Sequence, residues 1–149
     1  KRVLTTLDIQ IAPTFFMNGF SASATFTNRF SFLHPEKMKA IAIGGFNGSL
    51  MLPMDELNGI PLNYPLGTND FEELFGLDFD IENYTSIPQF IYMGKLDDND
   101  AVQFDDAYDE NERKIINENI GANVYDRYLK CQRIYHEKNI FTFCLNGNV

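Results

Sequence analysis

The stretch "FFMNGFSASATF", residues 15–26, decides how the chain folds. An apolar run ends in Gly19-Phe20-Ser21-Ala22-Ser23, and a helix-like pattern begins at once. "TFFMN" (14–18) reads as a short buried strand. In "SATFTNRFSFLH", Phe26, Arg29, Phe30 and Leu33 fall at helical spacing, and His34-Pro35 closes that helix. A strand that turns directly into a helix is the opening of a strand–helix–strand unit.

The rest of the chain repeats the unit. "MKAIAIGG" (38–45), "PQFIYMG" (88–94) and "IFTFCLN" (140–146) are three more apolar runs of strand length. "ENERKIINENIG" and "NVYDRYLKCQRIYHEKN" are the clearest helices. In the second, Tyr125, Tyr128, Leu129, Gln132 and Tyr135 form a stripe that predicts core packing. Four apolar strands alternating with helices predict an α/β fold: a four-stranded, mostly parallel sheet with helices on both faces. Residues 2–11 can add a short helix with Val3, Leu4, Leu7 and Ile11 on one side. Residues 46–87 are rich in Gly, Pro, Asn and Met and read as a lid-like or irregular insertion, with one helix at "DFEELFG". One domain, 1–149, contains all of this.

Composition narrows the function classes. The 149 residues are 44% hydrophobic, with 14 Phe and 7 Tyr, which fits a chain that buries about two thirds of its unfolded surface. No run of eighteen apolar residues predicts a membrane span. "KRVLTTLDIQIA" lacks the apolar stretch and cleavage site of a secretory signal. The net charge of −9 argues against nucleic acid or an anionic membrane as partner. Much of the acid lies in "DDNDAVQFDDAYDENE" (97–112), which reads mainly as a solvated loop and helix start. Cys131 and Cys144 lack a CxxC spacing, so a reducing, cytoplasmic setting is expected, with both as small buried groups.

Catalytic groups in such sheets lie beyond the carboxyl ends of the strands. There, Gly19-Phe20-Ser21-Ala22-Ser23 is a variant of G-x-S-x-G. The serine of that pattern occupies a strained strand-to-helix turn that lifts its hydroxyl clear of the sheet. Residues two before and two after must be small, because the backbones crowd. Ser21 is therefore the candidate nucleophile, Ser23 the second choice, and the N–H of Ala22 a candidate oxyanion donor. The competing reading is a small-residue turn selected for packing. After the third strand, Asp97 follows Gly94 at a spacing suited to an orienting carboxylate, with Asp100 as runner-up and a fully solvated cluster as the bland alternative. A calcium loop fails for want of the Gly and distal Glu. No metal or cofactor is expected. The two histidines, His34 and His136, do not follow a strand and read as structural or exposed.

These features together resemble the alpha/beta-hydrolase family, in its small bacterial serine esterase branch of the polyhydroxybutyrate-depolymerase and feruloyl-esterase type. The resemblance rests on "FMNGFSASATFTNRFSFLHPEKMKAIAIGG" (16–45) and "IPQFIYMGKLDDNDAVQFDDAY" (87–108). It implies serine, then acid, then histidine in chain order, which Ser21 and Asp97 begin. It also implies an ester or related acyl substrate. The chain departs from the family in three ways. Ser23 replaces the final glycine of the motif. The strands that precede the elbow strand in the family have no counterpart. The histidine expected after the last strand would fall beyond "CLNGNV". The expectation is thus the C-terminal half of a hydrolase, nearly inactive alone. Its elbow-strand edge would be covered by self-association or by an N-terminal half. Residues 46–87 would supply the substrate pocket, with Phe46, Met51, Met54 and Tyr64 as lining or as core. The alternative is a non-catalytic hydrolase fragment used for binding or assembly. A flavodoxin-like phosphate binder ranks third, since acid near the strand ends disfavours phosphate.

Overall fold

The computed structural model describes residues 10–140 and 142–145. Strand β1 (Phe15–Phe20) turns at Ser21 into helix α1 (Ala22–Leu33). A short 3-10 turn (Pro35–Lys37) leads into β2 (Met38–Gly44). A two-residue hairpin follows, β3 (Glu56–Leu57) and β4 (Ile60–Pro61), then helices α2 (Phe71–Phe75) and α3 (Ile81–Ser86). Strand β5 (Gln89–Tyr92) precedes the acidic loop. Helix α4 (Glu110–Ile115) continues as a π-helical turn (Ile116–Ile120). Helix α5 (Val124–Glu137) and strand β6 (Thr142–Leu145) end the described fold. The helix foreseen over residues 2–11 falls mostly outside the described residues.

The main sheet has the order β1-β2-β5-β6, and every pair is parallel. This is the α/β architecture expected from the four apolar runs. Helices α1 and α5 lie on one side of it. Ala24 and Phe32 of α1 and Tyr128, Cys131 and Tyr135 of α5 share a core with Ile41, Ile43 and Ile91 of the sheet. Each large side chain buried there contributes about 1.5–3 kcal/mol. A polar network ties these layers together. The Asn28 side-chain amide donates to the Tyr135 hydroxyl at 3.0 Å, and its oxygen accepts from the Met51 N–H at 2.7 Å. The Tyr135 hydroxyl donates to the Met51 carbonyl at 2.6 Å.

The other face is bare among the described residues, so helices on both faces are realised on one only. Phe16, Phe20 and Phe143 are 70%, 61% and 63% exposed, and Phe90 beside them is exposed too. The cause is the strand order. Crossovers in parallel sheets are right-handed, so helices reach both faces only where the order reverses direction. From β1 to β6 the order never reverses, so every connection lies on the same side.

Two further readings are refined. Residues 46–87 are largely irregular, with Phe46, Leu50, Met51, Leu52, Leu66 and Phe71 buried in the core. The α5 stripe turns by one position. Val124, Arg127, Tyr128, Cys131, Ile134 and Tyr135 are buried, while Leu129 is exposed and Gln132 half-buried.

Candidate functional site: the turn at Ser21

Sequence places three residue types at this turn, and each has a visible physical reason. Gly19 precedes the serine by two. A Cβ at that position would run into the Ser23 carbonyl and the Thr27 hydroxyl, so only glycine lets strand and helix approach this closely. Ser23 is small and its hydroxyl is committed, accepting from the Phe20 N–H at 2.9 Å and donating to the Phe20 carbonyl at 2.7 Å. Ser21 lies between them at φ 59° and ψ −127°, outside the regions open to ordinary L-residues. Such backbone costs about 1–3 kcal/mol and persists only where its surroundings hold it. One restraint is direct: the Ser21 N–H donates to the Gly44 carbonyl at the end of β2, at 3.1 Å.

A serine at a helix start ordinarily spends its hydroxyl capping the helix. Ser21 does not; its side chain makes no capping hydrogen bond. The side chain is half-buried at the carboxyl end of the sheet. Ala22 begins α1, so its N–H has no acceptor inside the helix and points where the helix dipole is positive. A hydroxyl not spent on capping, beside the Ala22 N–H, suits attack on a carbonyl and stabilisation of the resulting oxyanion.

The carboxylates after β5 separate by role. Asp100 accepts from the Arg127 guanidinium at 2.8 Å and from the Val102 N–H at 3.1 Å, through the same oxygen. Arg127 is fully buried, and it also donates to the Gly121 carbonyl and the Asn117 side chain. Asp100 is therefore the counter-ion of a buried cation. Asp97 closes a turn on Gly94 and accepts only the Asn99 N–H, at 3.1 Å. It stands two strands from Ser21, about 10 Å across the sheet. Ala22 borders the cavity along α1, which Asp97 does not line. Asp97 borders a surface hollow with Asn123 and Asp126.

Neither histidine lies at this end. His34 follows α1 just before β2 begins, exposed and against the Phe30 ring at 4.8 Å. His136 is exposed in the last turn of α5, ahead of β6. Both sit where strands start, a strand length of about 20 Å from Ser21. Among the described residues no group of three or more His, Cys, Asp or Glu could hold a metal ion.

A cavity of about 470 Å³ runs along α1 from Ala22, with Arg29, Asn47, Tyr64, Phe104 and Asp105 among its walls. Of the expected pocket residues, Tyr64 lines it, Met54 lines a separate hollow, and Phe46 and Met51 are core. The part of Arg29 and Tyr108 was not foreseen. The signal was present in one half: Ala22, Phe26, Arg29 and Leu33 recur at helical spacing on the same face. Tyr108 comes from a distant loop, and its phenol is raised in pKa by burial, with the Arg29 charge opposing.

Compared with protein-family models, with curated proteins and with solved structures, the chain matches none.

Proposed function

We propose that the chain carries the nucleophile turn of a serine hydrolase acting on a carboxylic ester or related small acyl compound. It is similar in motif to the alpha/beta-hydrolase family's bacterial esterase branch. The observation that carries the proposal is the backbone of Ser21, held at φ 59° and ψ −127° with a hydroxyl that does not cap the helix it precedes. Ser21 attacks the acyl carbon, and the Ala22 N–H stabilises the oxyanion. Asp97 orients and stabilises a histidine, since Asp100 is engaged with Arg127. By the family's order that histidine follows β6. His34 and His136 lie at the far end of the sheet, so the base is to be sought outside the described residues.

The test is an activity-based fluorophosphonate probe on the 149-residue chain. Labelling of the wild type that disappears in Ser21→Ala is expected; equal labelling of both sinks the assignment. On short nitrophenyl esters this chain should turn over only feebly, because a triad without its base loses several orders of magnitude in rate. Efficient turnover abolished by Ser21→Ala would overturn the role given to an outside histidine.

The bare sheet face favours a second reading, a non-catalytic hydrolase fragment that binds or assembles. In either case the edge of β1, which pairs only with β2 among the described residues, and the exposed phenylalanines call for cover, by self-association or by an N-terminal half. The acid surplus disfavours nucleic acid as partner. No helix among the described residues is long and apolar enough to cross a membrane. The free, buried Cys131, its thiol pushed up to about 12 by burial, suits a reducing, cytoplasmic setting.

A further inference from the structure

We propose that the cavity along α1 binds a carboxylate through Arg29, so that the acyl substrate is a half-ester of a dicarboxylic acid. The choice of an acyl compound rests on the role given to Ser21; the carboxylate site does not.

The argument starts from charge. The chain has 21 acidic and 12 basic residues, so carboxylates are abundant. Yet among the described residues no carboxylate stands within ion-pair distance of Arg29. Asp105 shares the cavity, but its side chain caps the Ala107 N–H. The nearby Glu112 carboxylate is taken by the Asp109 N–H. Among the described residues the guanidinium makes one hydrogen bond, from Nη2 to the Tyr108 hydroxyl at 3.0 Å, and its Nε is buried without a partner. A guanidinium offers five donors in a planar fork that suits a carboxylate. A ligand carboxylate would meet the Nη hydrogens that the Tyr108 hydroxyl leaves open, since the Nε itself is closed off.

The guanidinium is also held in place before any ligand arrives. It lies over the Tyr108 ring at 5.4 Å. Tyr108 is itself anchored, its hydroxyl donating to the Ser49 carbonyl at 3.3 Å and accepting from the Ser49 N–H at 3.4 Å. A preorganised cation loses less on binding than a free one. The remaining walls suit a short carbon chain. Phe26 and Phe104 line the cavity with 58% and 87% of their surface exposed, and Phe30 lines it as well. Its volume of about 470 Å³ falls in the range of small-molecule sites.

Position links the cavity to the serine. Ala22 and Arg29 are seven residues apart on one helix face, about 10 Å along the axis. Helical side chains lean toward the N-terminus, which brings the guanidinium nearer to the turn. Ala22, the residue after Ser21, lines one end of the cavity, so a chain of a few carbons can reach from a carbonyl at that end to a carboxylate at Arg29.

The probes are monomethyl adipate and its neutral counterpart dimethyl adipate. Calorimetry and NMR titration would follow their binding to the 149-residue chain carrying Ser21→Ala. Monomethyl adipate should bind more tightly than the dimethyl ester, and Arg29→Gln should weaken it about tenfold or more while leaving the dimethyl ester unchanged. Asp105→Asn, which keeps the bond to Ala107, should tighten monomethyl adipate several-fold by removing a like charge. Equal affinity for the two esters, or no tightening with Asp105→Asn, overturns the site even if Arg29→Gln does not fold. Fluorophosphonate labelling reads Ser21 separately. Binding through Arg29 without labelling keeps the carboxylate site and overturns the half-ester substrate; labelling without binding does the reverse for the turn and the site.

Discussion

Ser21 occupies backbone that glycine reaches without steric penalty and serine does not. If the turn is strained, removing the Cβ should release the strain while removing the hydroxyl should not. Ser21→Gly is expected to be more stable than Ser21→Ala by about 1 kcal/mol, after the extra freedom glycine gives the unfolded chain. Urea unfolding of the two variants measures the difference. Equal midpoints would mean that the turn stores no strain, and the physical case for a nucleophile would lose its main support. The neighbouring positions were legible because their constraint is local. Gly19 must be small where two backbones meet, and that requirement shows in a five-residue pattern. The commitment of the Ser23 hydroxyl to Phe20 was not legible, since it depends on how the turn closes.

At the scale of elements, the loop after β5 and the start of α5 are joined through Arg127. The π-helical turn at Ile116–Ile120 ends in a hydrogen bond from the Gly121 N–H to the Ile116 carbonyl. That register leaves the Gly121 carbonyl and the Asn117 side chain facing the guanidinium. Asp100 supplies the charge. Its side chain is partly exposed, at 30%, so the pair is not wholly desolvated. Asp100→Asn should still cost about 2 kcal/mol or more, because it leaves a fully buried cation without its counter-ion. Asp97→Asn should change stability by less than about 0.5 kcal/mol, as expected for a residue with no buried partner. Chemical denaturation of both variants separates the carboxylate that serves the fold from the one free to serve chemistry. Comparable losses would undo that distinction. Nothing in "DDND" alone tells the two apart, since the difference lies in Arg127, 27 residues from Asp100. The hairpin at β3 and β4 is another matter. Asn58-Gly59, both at positive φ, is a strong local turn signal that an irregular reading of 46–87 passed over.

Across the whole molecule, one observation outweighs the rest: a parallel sheet with a single covered face among the described residues. Parallel sheets are almost always buried on both sides. Here Phe16 and Phe20 on β1 and Phe143 on β6 expose apolar surface, on a chain whose net charge is −9. By itself the chain should bind hydrophobic dyes and self-associate at micromolar concentration. The double variant Phe16→Lys with Phe143→Lys should reduce both, as followed by dye fluorescence and sedimentation velocity. A monodisperse wild-type monomer that leaves the dye dark would show that this face needs no cover.

The four strands, the principal helices and the turn at Ser21 are all written locally in the chain. Those follow from apolar run length, helical spacing and steric crowding, which act over a few residues. Tertiary structure decided which carboxylate is tied to a buried arginine, which arginine is left without a carboxylate, and which side of the sheet is bare. Those depend on strand order and on contacts between residues far apart in the chain, and no local pattern carries them.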